Sequence, residues 1–139
     1  MDAKQVIIIP RSLKDSNGNP VGAGKIGAQV AHAAVANVLN LTDTVTIKDG
    51  MIYRTISYPV DSPEADWIDN SFTKVLLGVD TEAEMLAIYE KAKLAGLNVS
   101  LIEDEGRTVF NGVITKTCIG IGPHVREAFT GLTDHLKRY

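Results

Sequence analysis

Cysteine is nearly absent: Cys118 is the only one in 139 residues, which excludes an intrachain disulfide and any cysteine-based metal centre. Its apolar neighbours mark it as a buried strand thiol. Long apolar runs are missing too. Runs such as Val6 to Ile9 are far short of a membrane span, and the N-terminus lacks the basic-then-apolar pattern of a signal peptide. A cytoplasmic protein with no membrane partner is therefore expected. Positive charge is not in excess. Fourteen Lys and Arg face 17 Asp and Glu, for a net charge of −3, so nothing draws the chain as a whole to DNA or RNA, and contact with RNA needs a local basic patch.

Two motif classes are missing as well. The stretch GNPVGAGKIGAQVAHAAV places Lys25 behind glycines, but a phosphate loop needs GxxxxGK followed by Ser or Thr. Asn19 stands where the first glycine belongs, and Ile26 follows the lysine. No Ser-His-Asp grouping and no cluster of metal ligands is apparent, so neither a covalent intermediate nor a metal or other cofactor is expected.

What is present fits one compact domain spanning residues 1–139, with 45% hydrophobic and 22% charged residues. The β-branched run Gln5 to Ile9 predicts a strand, and a Ser/Asn/Gly-rich loop then leads to a helix from Ala23 to about Leu39. In TVTIKDGMIYRTISY, the Asp49-Gly50 pair between β-formers predicts a hairpin over about 44–58, ended by Pro59. After the polar stretch DSPEADWIDNS comes the strand TKVLLGV, and Thr81 with Glu84 forms a capping box for a helix stopped at Gly96. NVSLI and KTCIGIG predict two more strands. Pro123 opens a last helix, with Val125, Phe129, Leu132 and Leu136 at helical spacing. The alternation predicts a single layered α/β domain, its sheet buried in the core with helices on both faces and the hairpin inserted.

Two polar segments carry candidate chemistry. On the first helix Lys25, Gln29 and His32 fall within an arc of roughly 60°, a stripe expected to face away from the core. A lysine in the first turn opposes the helix dipole, at a cost of a few tenths to about 1 kcal/mol, so something other than helix stability accounts for it. The second segment, EDEGRTVFNGVITKT, connects two core strands, where α/β folds place their sites. It offers the Asp104 carboxylate, the Arg107 guanidinium and the hydroxyls of Thr108 and Thr115 around Gly106, a residue suited to close backbone approach to a ligand.

KIGAQVAHA, LAGLNVSLIEDEGRT and TKTCIGIGP, in that order, together with the opening KQVIIIPRSLK, resemble the signature segments of the archaeal and eukaryotic type of peptidyl-tRNA hydrolase, the Pth2 family. The resemblance covers most of the chain outside residues 15–22 and 40–72. It implies an α/β fold with a mixed four-stranded sheet, homodimerisation, and hydrolysis of the ester joining a peptide to the tRNA 3′ end. On matching positions it implies site roles for Lys25, Gln29, His32, Asp104 and Thr108, and also for Arg107 and Thr115. Val30 stands where the family commonly has cysteine, Glu105 where alanine is usual, and the loop after Thr108 is one residue longer than the usual pattern.

Ester hydrolysis needs a water aimed at the carbonyl and a positive or hydrogen-bonding group where the oxyanion develops. Asp104 and Lys25 suit these two tasks, with Thr108 and Gln29 positioning and His32 supporting the network or meeting the terminal adenosine. Arg11, Lys14, Lys25, Arg107 and Lys116 lie in or beside these segments and form the expected basic rim for peptidyl-tRNA. The competing reading is a binding module that holds a tRNA end or a protein partner in the same cleft without turnover. A nucleotide-binding regulator is disfavoured by the failed phosphate-loop spacing.

Overall fold

The computed structural model describes residues 1–139. Its first strand, β1 (Lys4–Pro10), is buried on both sides, as an uninterrupted β-branched run requires. Val6 and Ile8 enter one core and Ile7 and Ile9 the other. Helix α1 (Ala23–Leu39) follows, then the hairpin β2 (Thr42–Lys48) and β3 (Met51–Ile56). A short helix α2 (Pro63–Asp66) continues into a π-helical turn over Trp67–Ser71. Strand β4 (Thr73–Val79), helix α3 (Glu82–Leu94), and strands β5 (Val99–Asp104), β6 (Thr115–His124) and β7 (Lys137–Arg138) complete the chain.

The main sheet has the order β5-β6-β1-β4-β7. β1 runs parallel to β4 and antiparallel to β6, which is antiparallel to β5. The carboxyl ends of β1, β4 and β5 therefore lie at one end of the sheet, together with the start of β6. Helix α1 covers one face, where Ile26 and Ala33 join Ile7, Ile9, Cys118 and Phe110. Helix α3 covers the other, with Met85, Ile88 and Ala92 against Val6, Ile8, Ile119, Ile121, Phe129 and Leu132. Gly120 sets the depth of the α1 contact: a Cβ there would stand 3.1 Å from the Ala33 carbonyl oxygen and 3.2 Å from its Cβ.

Several expectations hold in detail. Thr81 Oγ1 accepts from the Glu84 N–H at 3.2 Å, and Gly96 adopts φ +75 directly after the helix. The hairpin turns on Asp49 and Gly50, both at positive φ, although its strands span 42–56 rather than 44–58 and form a separate two-stranded sheet. Cys118 is fully buried.

Other expectations are corrected. The main sheet has five strands, not four, because the C-terminal residues add β7 beside β4. The last helix is absent. β6 continues through Pro123 to His124, only Arg126–Phe129 forms a 3-10 turn, and Gly131 at φ +74 turns the chain back. Phe129 and Leu132 still reach the core, so their spacing reflects burial from successive turns. The polar stretch DSPEADWIDNS, to which the sequence assigned no element, is helical from Pro63 to Ser71. Ser62 caps it by accepting from the Ala65 N–H, and Trp67 is fully buried with its Nε1 donating to the Thr73 carbonyl.

Candidate active site

The lysine in the first turn of α1 has a partner across the fold. Asp104 ends β5 at the carboxyl end of the sheet, and Lys25 Nζ donates to its Oδ2 at 2.8 Å. Both side chains are mostly covered, 17% exposed for Lys25 and 12% for Asp104. The cost of a cation near a helix N-terminus is thus offset by a carboxylate that the same terminus favours. Asp104 accepts two further bonds: Gln29 Nε2 to Oδ2 at 2.9 Å and the Gly106 N–H to Oδ1 at 2.7 Å. The Lys25 hydrogen bond holds this carboxyl below the usual carboxylate range. Burial opposes it, while the Gly106 N–H, the lysine charge and the Gln29 amide add to it.

Lys25 also donates to Thr108 Oγ1 at 2.8 Å, and its ammonium lies 5.5 Å from the Phe110 ring centre. An ammonium has three N–H donors, so one remains for a ligand. Lys25 and Asp104 open into a polar cleft of about 280 Å³ whose other walls are His32, Glu103, Glu105 and Arg107.

The stripe on α1 does not face away from the core as a unit. Gln29 is buried and points to the sheet, while His32 is exposed at the cleft wall. Burying an amide requires partners for both ends. Thr117 supplies the second: its Oγ1 donates to Gln29 Oε1 at 2.6 Å, which turns Nε2 toward Asp104. Thr117 is itself fully buried. The adjacent Cys118 donates its thiol to the Gln29 carbonyl at 3.2 Å, and burial pushes that thiol up to about 12.

Sequence reading passed over Thr117 in favour of Thr115, and the reason is a break in register. β5 pairs Ile102 with Cys118 but Glu103 with Lys116, so Thr117 is the extra residue of a β-bulge. Strict alternation would send Thr117 to the face opposite Cys118, whereas the bulge re-aims it to the α1 side. A buried glutamine needing an acceptor-side partner is the signal that could have exposed it.

Of the remaining candidates only Gly106, through its N–H, joins the hydrogen-bonded cluster. Arg107 is exposed at the rim and pairs with Glu105 Oε2 at 2.7 Å. Gly106, at φ +80, meets its own loop: its carbonyl accepts from the Gly112 N–H, and a Cβ would stand 2.6 Å from Val113 backbone atoms. Thr115 lies opposite Asp104 in register, donates to the Val113 carbonyl, and borders a neighbouring depression of about 210 Å³ with Lys14, Ser16 and Phe110. Lys116 is half-buried opposite Glu103. Arg11 is not brought to the cleft. It crosses Gly78 at the other edge of the sheet, donates to the Arg138 carbonyl and lies over the Tyr139 ring.

Fold and site together define a class of small α/β proteins that hold an ionised carboxylate against a lysine at the carboxyl ends of a mixed sheet, an arrangement suited to aiming water at a polarised carbonyl. Within that class the sequence matches the family described as Peptidyl-tRNA hydrolase PTH2 over residues 3–139, and the chain belongs to it. It is 36% identical over 117 residues to the peptidyl-tRNA hydrolase of Sulfolobus acidocaldarius, covering 84% of this chain and 88% of that one. To the peptidyl-tRNA hydrolase of Sulfurisphaera tokodaii it is 33% identical over 137 residues, covering 99% and 98%. The human protein named peptidyl-tRNA hydrolase 2, mitochondrial, is 31% identical over 137 residues, which is 98% of this chain and 64% of the human one.

Proposed function

We propose that the chain, acting as one domain, hydrolyses the ester between the peptide and the 3′ end of peptidyl-tRNA by direct attack of water in the Asp104 cleft. The observation that carries this reading is a carboxylate fixed by Lys25, Gln29 and the Gly106 N–H beside an open polar cleft. Water, oriented by Asp104, adds to the ester carbonyl and passes its proton to the carboxylate. The free N–H of Lys25 meets the oxyanion as it forms. A carboxylate whose proton affinity Lys25 lowers is a weaker base while the lysine holds it. As the lysine charge is shared with the oxyanion, its hold on Asp104 weakens and the carboxylate gains basicity when the proton must be taken. The intermediate then expels the ribose oxygen, which recovers the proton from Asp104. Thr108 and Gln29 position this pair, and Thr117 positions Gln29. His32 and Arg107 at the cleft wall, with Lys14 and Thr115 around the adjoining depression and Lys116 next along β6, meet the tRNA end. No metal or cofactor takes part.

Homodimerisation and a cytoplasmic location belong to the same reading. No helix is long and apolar enough to cross a membrane, while the human relative is named as mitochondrial. Incubation with an N-blocked aminoacyl-tRNA and with its unblocked counterpart tests the function: release of tRNA from the blocked ester alone is expected. Turnover of neither at high protein concentration would leave a binding module and overturn the hydrolase reading.

A further inference from the structure

The main sheet has two edges, and they are built differently. One is β7, two residues long and wholly basic, Lys137 and Arg138, a short charged strand of the kind that discourages further pairing. The other is β5, which has no partner on its outer side. Its run from Val99 to Ile102 carries no charge. The Asn98 carbonyl accepts from the Gly122 N–H at 2.8 Å, and the Ile102 carbonyl lies 3.4 Å from Thr117 Oγ1, so both residues turn their backbone groups toward β6. By the alternation of an antiparallel pair, Val99, Leu101 and Glu103 turn their N–H and carbonyl groups outward. Leu101 packs with the α3 core and Ile102 with the α1 core, so both faces of the strand are covered. Only the edge is open.

That edge leads to the reacting groups. β5 ends on Asp104 in the polar cleft, and its first residue, Val99, borders a second cavity of about 470 Å³ shared with Asn40, Tyr89, Lys93 and His124. Alongside, on α1, His32, Val35 and Leu39 fall within an arc of about 60°. His32 lines the cleft, Val35 and Leu39 are 56% and 44% exposed, and Asn40 beside Leu39 donates to Ser100 Oγ at 2.8 Å. A partly apolar shelf thus follows the open edge from one cavity to the other. An ester carbonyl seated between Asp104 and Lys25 is the carboxyl end of a peptide, whose other residues must leave the cleft. On the basis of the hydrolysis proposed above, we infer that they run back along β5 as an added strand parallel to it, with alternate side chains over the shelf. Main-chain bonds to a strand edge hold an extended peptide whatever its sequence, which suits a substrate defined by its ester rather than by its side chains. From Val99 to Asp104 the strand reaches about 17 Å at about 3.3 Å per residue, room for about five peptide residues.

Turnover of N-acetylated tRNA esters carrying peptides of increasing length tests the track. Each hydrogen bond gained contributes roughly a factor of 2 to 10, so kcat/KM should climb at least tenfold up to about five residues and then level off. Methylating successive peptide nitrogens one at a time should lower kcat/KM at every second position only, because an added strand turns alternate N–H groups to the edge. In the protein, Leu101→Pro removes one outward N–H and no ladder bond. It should flatten the length dependence with far-UV circular dichroism unchanged, and if the variant does not fold, the nitrogen scan on the parental chain decides. Equal kcat/KM at every length, or losses without the two-residue period, would overturn the track while leaving the hydrolase in place. So would a length dependence that survives in Leu101→Pro while sedimentation velocity shows a dimer falling to monomer, the mark of a second copy on this edge. Release from none of the esters would overturn the hydrolase reading itself, and the track with it.

Discussion

Replacing Lys25 with methionine keeps much of the stem and deletes the charge, so the change isolates what the ammonium does. Its bond to Asp104 is charge-assisted and mostly covered, with side-chain exposures of 17% and 12%. Losing such a bond costs about 1.5 to 3 kcal/mol. Relief of a first-turn cation from the helix dipole returns about 0.3 to 1 kcal/mol. A net loss of about 1 to 2 kcal/mol at pH 7 is expected, since Asp104 keeps Gln29 and the Gly106 N–H. The loss should depend on pH in one direction. A carboxylate whose affinity is depressed by folding stabilises the native state above its unfolded pKa of about 3.9, and that stability disappears as pH falls through the folded value. Without Lys25 most of the depression goes. The gap between parent and variant in urea unfolding should therefore be full at pH 7 and shrink progressively below about pH 4. Groups elsewhere titrate alike in both chains and cancel. In turnover assays kcat should fall by about 10² or more, as for loss of an oxyanion donor. A gap as wide at pH 3 as at pH 7 would refute the coupling between Lys25 and Asp104. A raised KM with unchanged kcat would move Lys25 from the transition state to substrate binding.

Asp104→Asn, close in volume but unable to accept the proton, should lower kcat by about 10² or more with the fold intact by circular dichroism, and near-parental turnover would remove Asp104 from the chemistry. Thr117→Val should leave the buried Gln29 Oε1 unpaired, costing about 1 to 3 kcal/mol in urea unfolding and lowering kcat, while Thr117→Ser should recover both. Affinity of catalytically dead protein for tRNA should fall steeply with salt, and Arg107→Ala should flatten the slope of log K against log salt by about one unit if that guanidinium touches a phosphate, whereas Lys91→Ala on α3 should not.

Local signals in the chain were readable; distant partnerships were not. The Thr81–Glu84 cap and the Asp49-Gly50 turn depend on neighbours in sequence, and both form as their residues predict. Phe129 and Leu132 misled because a spacing of three satisfies a succession of turns as well as a helix, and only Gly131 at φ +74 separates the two. Gln29 was read as a solvated member of a stripe because its burial depends on Thr117, 88 positions away. Thr117 was hidden in turn by the bulge that breaks the alternation of β6. Lys25 and Asp104 were legible as chemistry, since a first-turn lysine and a carboxylate at a strand end each ask for a partner. That they answer one another, 79 residues apart, is a fact of the folded chain.

The segment from Glu105 to Ile114 leaves and rejoins the sheet at one rung, because Asp104 and Thr115 stand opposite each other in register. Its span is thus set by the ladder rather than by its own length. An added residue is taken up away from that rung, near Asn111, which is exposed, and closing a slightly longer excursion costs only a few tenths of a kcal/mol. The one-residue excess over the usual family pattern therefore need not move the carboxylate at the loop's foot. Chain length away from the foot is free to vary, while the foot keeps the Asp104 carboxylate beside Lys25 and Gln29.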